Sequence, residues 1–352
     1  MKNITKCAFM LVFAMLMVGC QDGGKAGVAI DNPMPSMYYW RTSLTLNDAE
    51  RQFLNDQKIG KMYVRMFDVT RNANGELMPN ATLEFVDTIP QTIELIPVVF
   101  LTENVFDANS SITNEELARL IVKRVGQMLE QNGYEPCHEI QIDFDWTKSN
   151  MERYYSFLSE MKKQMAEKQM KLSVTIRLHQ LKMQIPPADY GVVMLYNIGN
   201  FKKVDETNSI LSEANLAPYI DGFKPTEGQI NSMPLCLALP IYEWDLLFEE
   251  EDFISIVKNL DVSDEEMFST TDGIHYVAQK YMALPSTKGN ERLFPGAAIR
   301  HESVSYELLD NVMKQVEAKN DKITSQVILY DLQENNINRY SYEDIKNTFN
   351  RN

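Results

Sequence analysis

Two aspartates and a threonine occupy every second position near the end of the segment EIQIDFDWT, residues 139–147. In a β-strand, alternate side chains point to the same side, so Asp143, Asp145 and Thr147 share one face and the apolar residues between them share the other. Burying one unpaired carboxylate costs on the order of several kcal/mol. The segment therefore predicts a strand that aims carboxylates into a site for proton transfer or ligand binding. The alternative is a buried polar network without a ligand.

Strand-like and helix-like segments alternate through most of the chain, which predicts a parallel sheet covered by helices. No glycine-rich phosphate loop follows the first strand-like run, which disfavours a doubly wound open sheet. We therefore expect an α/β fold, a (β/α)8 TIM barrel in which EIQIDFDW is the fourth strand. Eight strand-like runs supply the number that this barrel requires, beginning at residues 37, 61, 93, 139, 171, 190, 234 and 294.

Two connections break the alternation. Residues 70–92 show no helical pattern where a helix is due, so the second crossover is expected to be irregular. Residues 249–293 form a long excursion between the seventh and eighth strand-like runs. Because the connection after a barrel strand begins at the C-terminal face, this excursion can form a wall or lid over a site, or an insertion that only packs on the rim.

The N-terminus has the pattern of an export signal. Lys2 and Lys6 precede an apolar run, residues 8–18, which is too short to span a bilayer and ends just before Gly19-Cys20. The segment around Cys20 resembles the bacterial lipobox, which implies cleavage before Cys20 and its lipidation; an ordinary secretory signal is the alternative. The expected location is the cell envelope, at the outer membrane of a Gram-negative bacterium, with the Cys20 lipid as the membrane contact.

The chain is acidic, with a formal net charge of −15, and it becomes more acidic once the two leader lysines are removed. So negative a surface repels nucleic acid and anionic lipid headgroups, and neutral substrates suit it better. No nucleic-acid partner is expected. The predicted organisation is a leader over 1–19, an anchor and flexible tether over 20–34, and one barrel domain over 35–352 with the insertion 249–293.

Cysteine usage gives no sign of a metal or a disulfide framework. Apart from those in the predicted leader and anchor, Cys137 and Cys236 remain, and they begin two strand-like runs whose starts lie far apart in the expected barrel. We therefore expect two buried thiols. The sequence contains no CxxC motif or Cys/His cluster, so no metal and no cofactor are expected.

The fourth-strand segment resembles the signature of glycoside hydrolase family 18, the chitinase type, which runs Asp-Gly-x-Asp-x-Asp-x-Glu. Aligned on IQIDFDWT, the two inner aspartates fall on Asp143 and Asp145, and the catalytic glutamate falls on Thr147. The layout as a whole also resembles uncharacterised lipoproteins of the Bacteroidetes. Three further segments are similar to family motifs in the expected order: MLYN (194–197) to the strand-six Met-x-Tyr-Asp, with Asn197 replacing aspartate, LALPIYEW (237–244) to the strand-seven Gly-x-Pro-x-Tyr-Gly, and MYYWRT (37–42) to the tyrosine-rich first strand.

The resemblance implies a division of roles within the site. In that family, the acetamido oxygen of the substrate is the nucleophile, the strand-four glutamate is the general acid, and the inner aspartates tune and orient. By this resemblance, Tyr196 is placed to hold the acetamido group, and Asp145 is placed to accept a hydrogen bond from the acetamido nitrogen. Thr147 cannot protonate a leaving oxygen, because a hydroxyl is too weak an acid near neutral pH, and loss of a general acid typically removes roughly 10²- to 10⁴-fold in rate.

Other carboxylates near the expected mouth are candidates for the missing acid. Glu243 is the best placed because Tyr242 and Trp244 flank it and could stack on sugar faces, although a solvated rim carboxylate is the simpler explanation. Asp68, Glu103 and Asp245 also follow strand-like runs.

Arginines near the expected mouth suggest a second feature. Arg177 lies beside the fourth strand, so a pair with Asp143 or Asp145 is expected, and such a pair would lower the pKa of the aspartate. Arg41, Arg65 and Arg300 also lie in strand-like segments. Several arginines in one site could bind an anionic sugar.

Three functions are compatible with the sequence. The first is a lipid-anchored, chitinase-like barrel that binds a glycan without the standard hydrolysis, and threonine at the acid position favours it. The second is an active glycoside hydrolase whose acid has moved, and the third is an envelope scaffold that binds no small ligand. Whether the chain is an enzyme stays open. The candidate catalytic residues are Asp145, Asp143 and Glu243, and the candidate binding residues are Tyr196, Asn197, Tyr242, Trp244, Arg177, Thr147 and Trp40.

Overall fold

The computed structural model of the protein describes residues 29–106, 112–257, 260–284 and 292–351. The predicted leader and the lipidation site at Cys20 lie outside the described residues. No helix of the described ranges has the length and apolar character needed to cross a bilayer.

Eight parallel strands close into a barrel, which confirms the predicted fold. The first strand pairs with both the second and the last, Met37 lying opposite Met62 on one side and Leu329 on the other. This double pairing removes the open edges of the sheet. In chain order the barrel strands are Ser36–Tyr39, Lys61–Arg71, Glu94–Leu101, Glu139–Asp143, Lys171–Ile176, Tyr190–Met194, Leu235–Pro240 and Val327–Tyr330.

The eighth barrel strand is not the one expected from the sequence. The run 294–300 was assigned to it, but Ala298–Glu302 belongs to a separate antiparallel sheet. Val327–Tyr330 instead pairs in parallel with Leu235–Pro240 and closes the ring. Both runs have the length and apolar character of a strand, so local pattern could not separate them.

The second crossover is irregular, as predicted. A short strand, Leu77–Asn80, folds back antiparallel onto the second barrel strand, and Glu84–Phe85 pairs with Ser43–Leu44. The fifth crossover holds only a short 3-10 turn, Leu178–Gln180, and the remaining crossovers carry α-helices. Several of these helices begin at side-chain caps. Asn47 and Glu50 form a reciprocal capping box at the first helix, and the Thr113 side chain caps the second. The α-helices are Asp48–Asp56, Asn114–Gln131, Met151–Ala166, Glu213–Leu216, Tyr306–Glu317, Glu334–Ile337 and Tyr342–Phe349.

An antiparallel sheet, the insertion sheet, lies between the seventh and eighth barrel strands. It extends from residue 244 to 302, beyond the 249–293 expected for the excursion. One of its faces covers a separate apolar cluster that includes Leu247, Phe268 and Ile299. Its strands are Trp244–Glu249, Asp252–Val257, Phe268–Thr270, His275–Ala278 and Ala298–Glu302, and a two-stranded hairpin of Met282–Ala283 and Arg292–Leu293 accompanies it.

Both remaining thiols are free, as predicted. Cys236 is fully buried, whereas Cys137 is only partly buried, so the expectation of burial is wrong for Cys137. Cys137 precedes the fourth barrel strand, in the loop that enters it, where the barrel does not yet enclose the side chain.

Candidate functional site

The fourth barrel strand points its polar residues into the barrel. Glu139, Gln141 and Asp143 are each at most 3% exposed. The Tyr38 hydroxyl donates to Gln141 Oε1 at 2.6 Å, and the Thr175 hydroxyl donates to Asp143 Oδ1 at 2.6 Å. The inward direction predicted for Asp143 is therefore observed, and Glu139 and Gln141 extend the same polar face toward the floor of the barrel.

The apolar face of the same segment meets the helix Met151–Ala166. The rings of Phe144 and Trp146 both lie against Tyr154 of that helix, with centroids 5.0 and 6.2 Å away. Because this face carries the packing, the polar face is free to form a site.

The floor of the barrel holds a network that the sequence analysis did not assign. Ser173 and Tyr190 donate hydroxyl hydrogen bonds to Glu139 Oε1, at 2.6 and 2.5 Å, and the Tyr190 and Tyr63 hydroxyls lie 2.6 Å apart. Burial raises the pKa of Glu139. The strict alternation of EIQIDFDW already placed Glu139 on the polar face, and that signal could have identified it.

Asp145 lies just beyond the end of the fourth strand, at the barrel mouth. Its side chain is 48% exposed, and Arg177 Nε donates to Asp145 Oδ1. This is one of the two ion pairs that the sequence allowed. Asp143 is not the paired aspartate, and its pKa is raised because burial outweighs the opposing charge of Arg177 and the Thr175 hydrogen bond.

Thr147 does not extend the inward face. The strand ends at Asp143, Thr147 is exposed, and its hydroxyl lies 2.7 Å from that of Ser149. Its backbone N–H donates to Asn150 Oδ1 at 2.8 Å, so the residue belongs to the turn that begins the next helix. The expectation that it shares the interior face with the aspartates is wrong, because alternation fixes side-chain direction only while the chain remains a strand.

Aromatic rings form one wall of the mouth. Tyr196 stacks on Tyr330 with centroids 4.9 Å apart and meets the edge of Tyr242 at 6.3 Å. The Tyr242 hydroxyl donates to Asn197 Oδ1 at 2.5 Å, and Trp40 lies 6.0 Å from Tyr330. Tyr196, Asn197, Tyr242 and Trp40 are thus brought together. Tyr330 was missed because its strand was not assigned to the barrel.

The hydroxyl of Tyr196 has a weak partner. It lies 3.1 Å from Met194 Sδ, and thioether sulfur is a poor acceptor. Burial raises the pKa of Tyr196, so the hydroxyl stays protonated and remains a donor. An oxygen acceptor placed beside this hydroxyl would be a better partner than the thioether.

Glu243 and Asp245 form a separate cluster at the start of the insertion sheet. Arg339 Nε lies 2.9 Å from Glu243 Oε2, and His301 Nε2 lies 3.9 Å from the same atom. His301 Nδ1 lies 2.8 Å from Asp245 Oδ1, and this hydrogen bond raises the pKa of His301. Glu243 is therefore engaged by a guanidinium and an imidazole. The Trp244 ring instead meets the edge of Tyr242, with centroids 5.6 Å apart, so it adjoins the aromatic wall of the mouth.

Arg300 does not belong to the mouth, contrary to the expectation from its strand-like segment. Its Nε donates to Glu302 Oε1 at 2.6 Å, and both side chains are at most 1% exposed. The Trp244 indole N–H and the Ser209 hydroxyl also donate to Glu302, each at 2.7 Å. This junction pair fastens the insertion sheet to the loop after the sixth barrel strand, where Phe201 contributes a carbonyl at 3.0 Å from Arg300.

Of the other two arginines, only Arg65 reaches the mouth. Its Nε donates to Asp68 Oδ1 at 2.8 Å, and its guanidinium lies 5.4 Å from the centre of the Trp40 ring. Arg41 pairs with Glu50 of the first helix at 2.9 Å. Among the residues with described positions, no group of three histidine, cysteine, aspartate or glutamate side chains could hold a metal ion.

Comparison with known proteins defines the class of fold. No family model and no curated protein matches the chain. Among solved structures, it is similar to catalytic domain 2 of the Group II chitinase of Ostrinia furnacalis, with a TM-score of 0.51 and 9% identity over 90% of this chain and 96% of that one. It is also similar to the spore cortex-lytic enzyme SleL of Bacillus megaterium, with a TM-score of 0.50 and 12% identity over 91% of this chain and 75% of that one.

The protein therefore has a (β/α)8 barrel fold that is similar to the folds of these two enzymes. At 9–12% identity the likeness establishes the fold and not the chemistry. What the site does depends on the residues at its own mouth.

Proposed function

We propose that this protein binds a glycan at the mouth of its barrel and lacks the standard hydrolytic step of chitinase-like enzymes. The observation that carries the proposal is the juxtaposition of an exposed, ion-paired Asp145 with a wall of aromatic rings. Carbohydrate sites combine these features, because ring faces cover the apolar faces of a sugar while carboxylates accept from its hydroxyl groups.

Specific groups at the mouth suit an N-acetylated sugar. Asp145 has a second oxygen available to a hydroxyl or amide N–H, since Arg177 engages Oδ1. The Tyr196 hydroxyl, whose one partner among the described residues is a thioether, can donate to an acetamido oxygen. The solved structures of the same fold include proteins named as chitinases and as cortex-lytic enzymes, which supports a glycan as the ligand class.

The absence of standard hydrolysis follows from the residue at the acid position. Thr147, aligned there by the strand-four resemblance, has a hydroxyl that pairs with Ser149 and cannot supply a proton to a leaving oxygen near neutral pH. Glu243, the best alternative from sequence, is engaged by Arg339 and His301. A scaffold without a ligand would fill the mouth with side chains, whereas Asp145 remains 48% exposed.

The test is a glycan-array screen of the full chain in mild detergent. We expect binding to one family of oligosaccharides, weakened at least about tenfold by Asp145→Ala and by Tyr196→Phe, each of which removes a hydrogen bond to the ligand. Arg119→Gln, on an exposed helix face, is the matched control. Glycan binding that is unchanged in both mouth variants would exclude this site.

Hydrolysis is assayed on the glycans that bind. We expect no turnover. Slow turnover that Glu243→Gln abolishes would establish the competing function, a glycoside hydrolase whose acid has moved to the insertion sheet.

We also propose that Cys20 carries a lipid that holds the barrel at the cell envelope, on the outer membrane of a Gram-negative bacterium. The support is the order of lysines, apolar run and Gly-Cys at the N-terminus. Metabolic labelling with a tagged fatty acid tests it: label should enter the native chain and be lost in Cys20→Ser. Equal labelling of both would refute lipidation at this residue.

A further inference from the structure

Arg177 has hydrogen-bonding capacity that the protein does not use. Among the hydrogen bonds of the described residues, only its Nε is engaged by a side chain, that of Asp145. Within the described ranges no side chain or carbonyl accepts from Nη1 or Nη2, and the Arg177 side chain, at the mouth, is 25% exposed. A guanidinium presents its two terminal nitrogens as a planar fork.

The surroundings hold this fork in place. The Asp143 and Asp145 charges both act on Arg177, and its own backbone N–H donates to Gln180 Oε1 at 2.7 Å. Arg65 provides a second guanidinium at the same mouth, and its charge also reaches Asp143. Its Nε and Nη2 are engaged by Asp68, which leaves Nη1 without a protein acceptor in the described part of the chain.

We propose, building on the glycan-binding function above, that the site selects an acidic sugar whose carboxylate accepts both terminal N–H groups of Arg177. A carboxylate matches the spacing of the guanidinium fork, and such charge-assisted bonds are roughly twice as strong as neutral ones. The unengaged oxygen of Asp145 then accepts from a hydroxyl or amide N–H of the same or the adjoining sugar unit. The recognised unit is therefore a carboxylate with a hydrogen-bond donor beside it.

A neutral sugar would satisfy this fork less well. Covering the mouth with a neutral ring would remove water from the charged nitrogens and return only neutral acceptors, and buried polar groups left short of partners are costly. The negative net charge of the protein repels an anion, but salt screens this repulsion beyond about 8 Å at physiological ionic strength. Selection by Arg177 is thus a short-range property of the mouth.

The test compares two ligands that differ only in charge. One is a tetrasaccharide alternating N-acetylglucosamine with glucuronic acid, and the other is the same tetrasaccharide after its carboxyl groups are reduced to alcohols. Binding to the full chain is measured by calorimetry in mild detergent. We expect the acidic form to bind at least about tenfold more tightly, the effect of one hydrogen bond to a charged group.

Variants assign the preference to Arg177. Arg177→Gln should abolish it, and Arg119→Gln should keep it, because Arg119 lies in an exposed ion pair on the helix Asn114–Gln131. Should Arg177→Gln fail to fold, Arg177→Lys is measured instead; it keeps the charge but not the fork, and a reduced preference is expected.

Three results would overturn the inference. Equal binding of the two ligands would refute selection for an acidic sugar while leaving the glycan-binding function intact. An acidic preference that persists in the Arg177 variant would assign it to another part of the surface. Failure of these tetrasaccharides and of every array glycan to bind would refute both this inference and the function on which it rests.

Discussion

Two arginine–carboxylate pairs of the same chemistry occupy different settings in this protein. The junction pair, Arg300 with Glu302, is at most 1% exposed, and neighbouring groups satisfy its remaining donors and acceptors. The mouth pair, Arg177 with Asp145, is 25% and 48% exposed, and within the described ranges it keeps donors and acceptors without a partner. Saturation of hydrogen bonds, and not the presence of charge, distinguishes the junction pair from the mouth pair, at which we propose that a ligand binds.

The largest expected effect is at the junction. Arg300→Met leaves the Glu302 carboxylate buried without its cation, which typically costs about 3–5 kcal/mol of unfolding free energy. Urea denaturation measures this loss. The double variant Arg300→Met/Glu302→Met removes both charges and should recover much of it. If the single variant is as stable as the native chain, the pair does not fasten the insertion sheet as described.

Glu139 extends this comparison, because it is a buried carboxylate that forms no ion pair with the described residues. Burial raises the pKa of Glu139, so the folded state holds its proton at a pH where the unfolded chain has lost it. Stability should therefore fall as pH rises above the unfolded value of about 4.3, by up to about 1.4 kcal/mol per pH unit. Glu139→Gln should lose this dependence. Parallel stability profiles of the two proteins between pH 4 and 7 would contradict the assignment.

The pair of His301 and Asp245 has intermediate burial and should give an intermediate effect. Its hydrogen bond raises the pKa of His301, so its stabilisation is complete below about pH 6.5 and is lost as pH rises through the folded pKa. His301→Gln should therefore cost more at pH 6 than at pH 8, with a difference of about 1 kcal/mol or less. Denaturant midpoints at the two pH values provide the measurement, with His179→Gln, an exposed histidine, as the control.

The smallest expected effect on stability is at the mouth. Asp145→Asn should change the unfolding free energy by no more than about 1 kcal/mol, because exposed ion pairs contribute little. The same measurement on Arg119→Gln, in an exposed helical pair, gives the reference value. A loss comparable to that of Arg300→Met would mean that the two pairs do not differ in the way proposed.

Much of the architecture could be predicted because strand and helix periodicity are local properties. Alternation in EIQIDFDW correctly indicated which residues enter the barrel, and the lack of helical pattern in residues 70–92 correctly indicated an irregular crossover. The sequence also showed that Thr147 occupies the position of the general acid. It could not show where the Thr147 side chain points, because the strand ends before this residue. Site residues at the ends of strands are therefore the ones that local pattern describes least well.

The barrel class, the inward carboxylates of the fourth strand and the aromatic character of the mouth could be predicted from sequence, since each follows from which face of a segment is apolar. The folded structure was needed to show that Val327–Tyr330 closes the ring, that Tyr330 joins the mouth and that Arg300 lies outside it. Those outcomes depend on pairing between segments far apart in the chain, and the periodicity of either segment alone does not predict the energy of that pairing. The same holds for the terminal nitrogens of Arg177, because only the folded structure shows that no acceptor in the described part of the chain lies beside them.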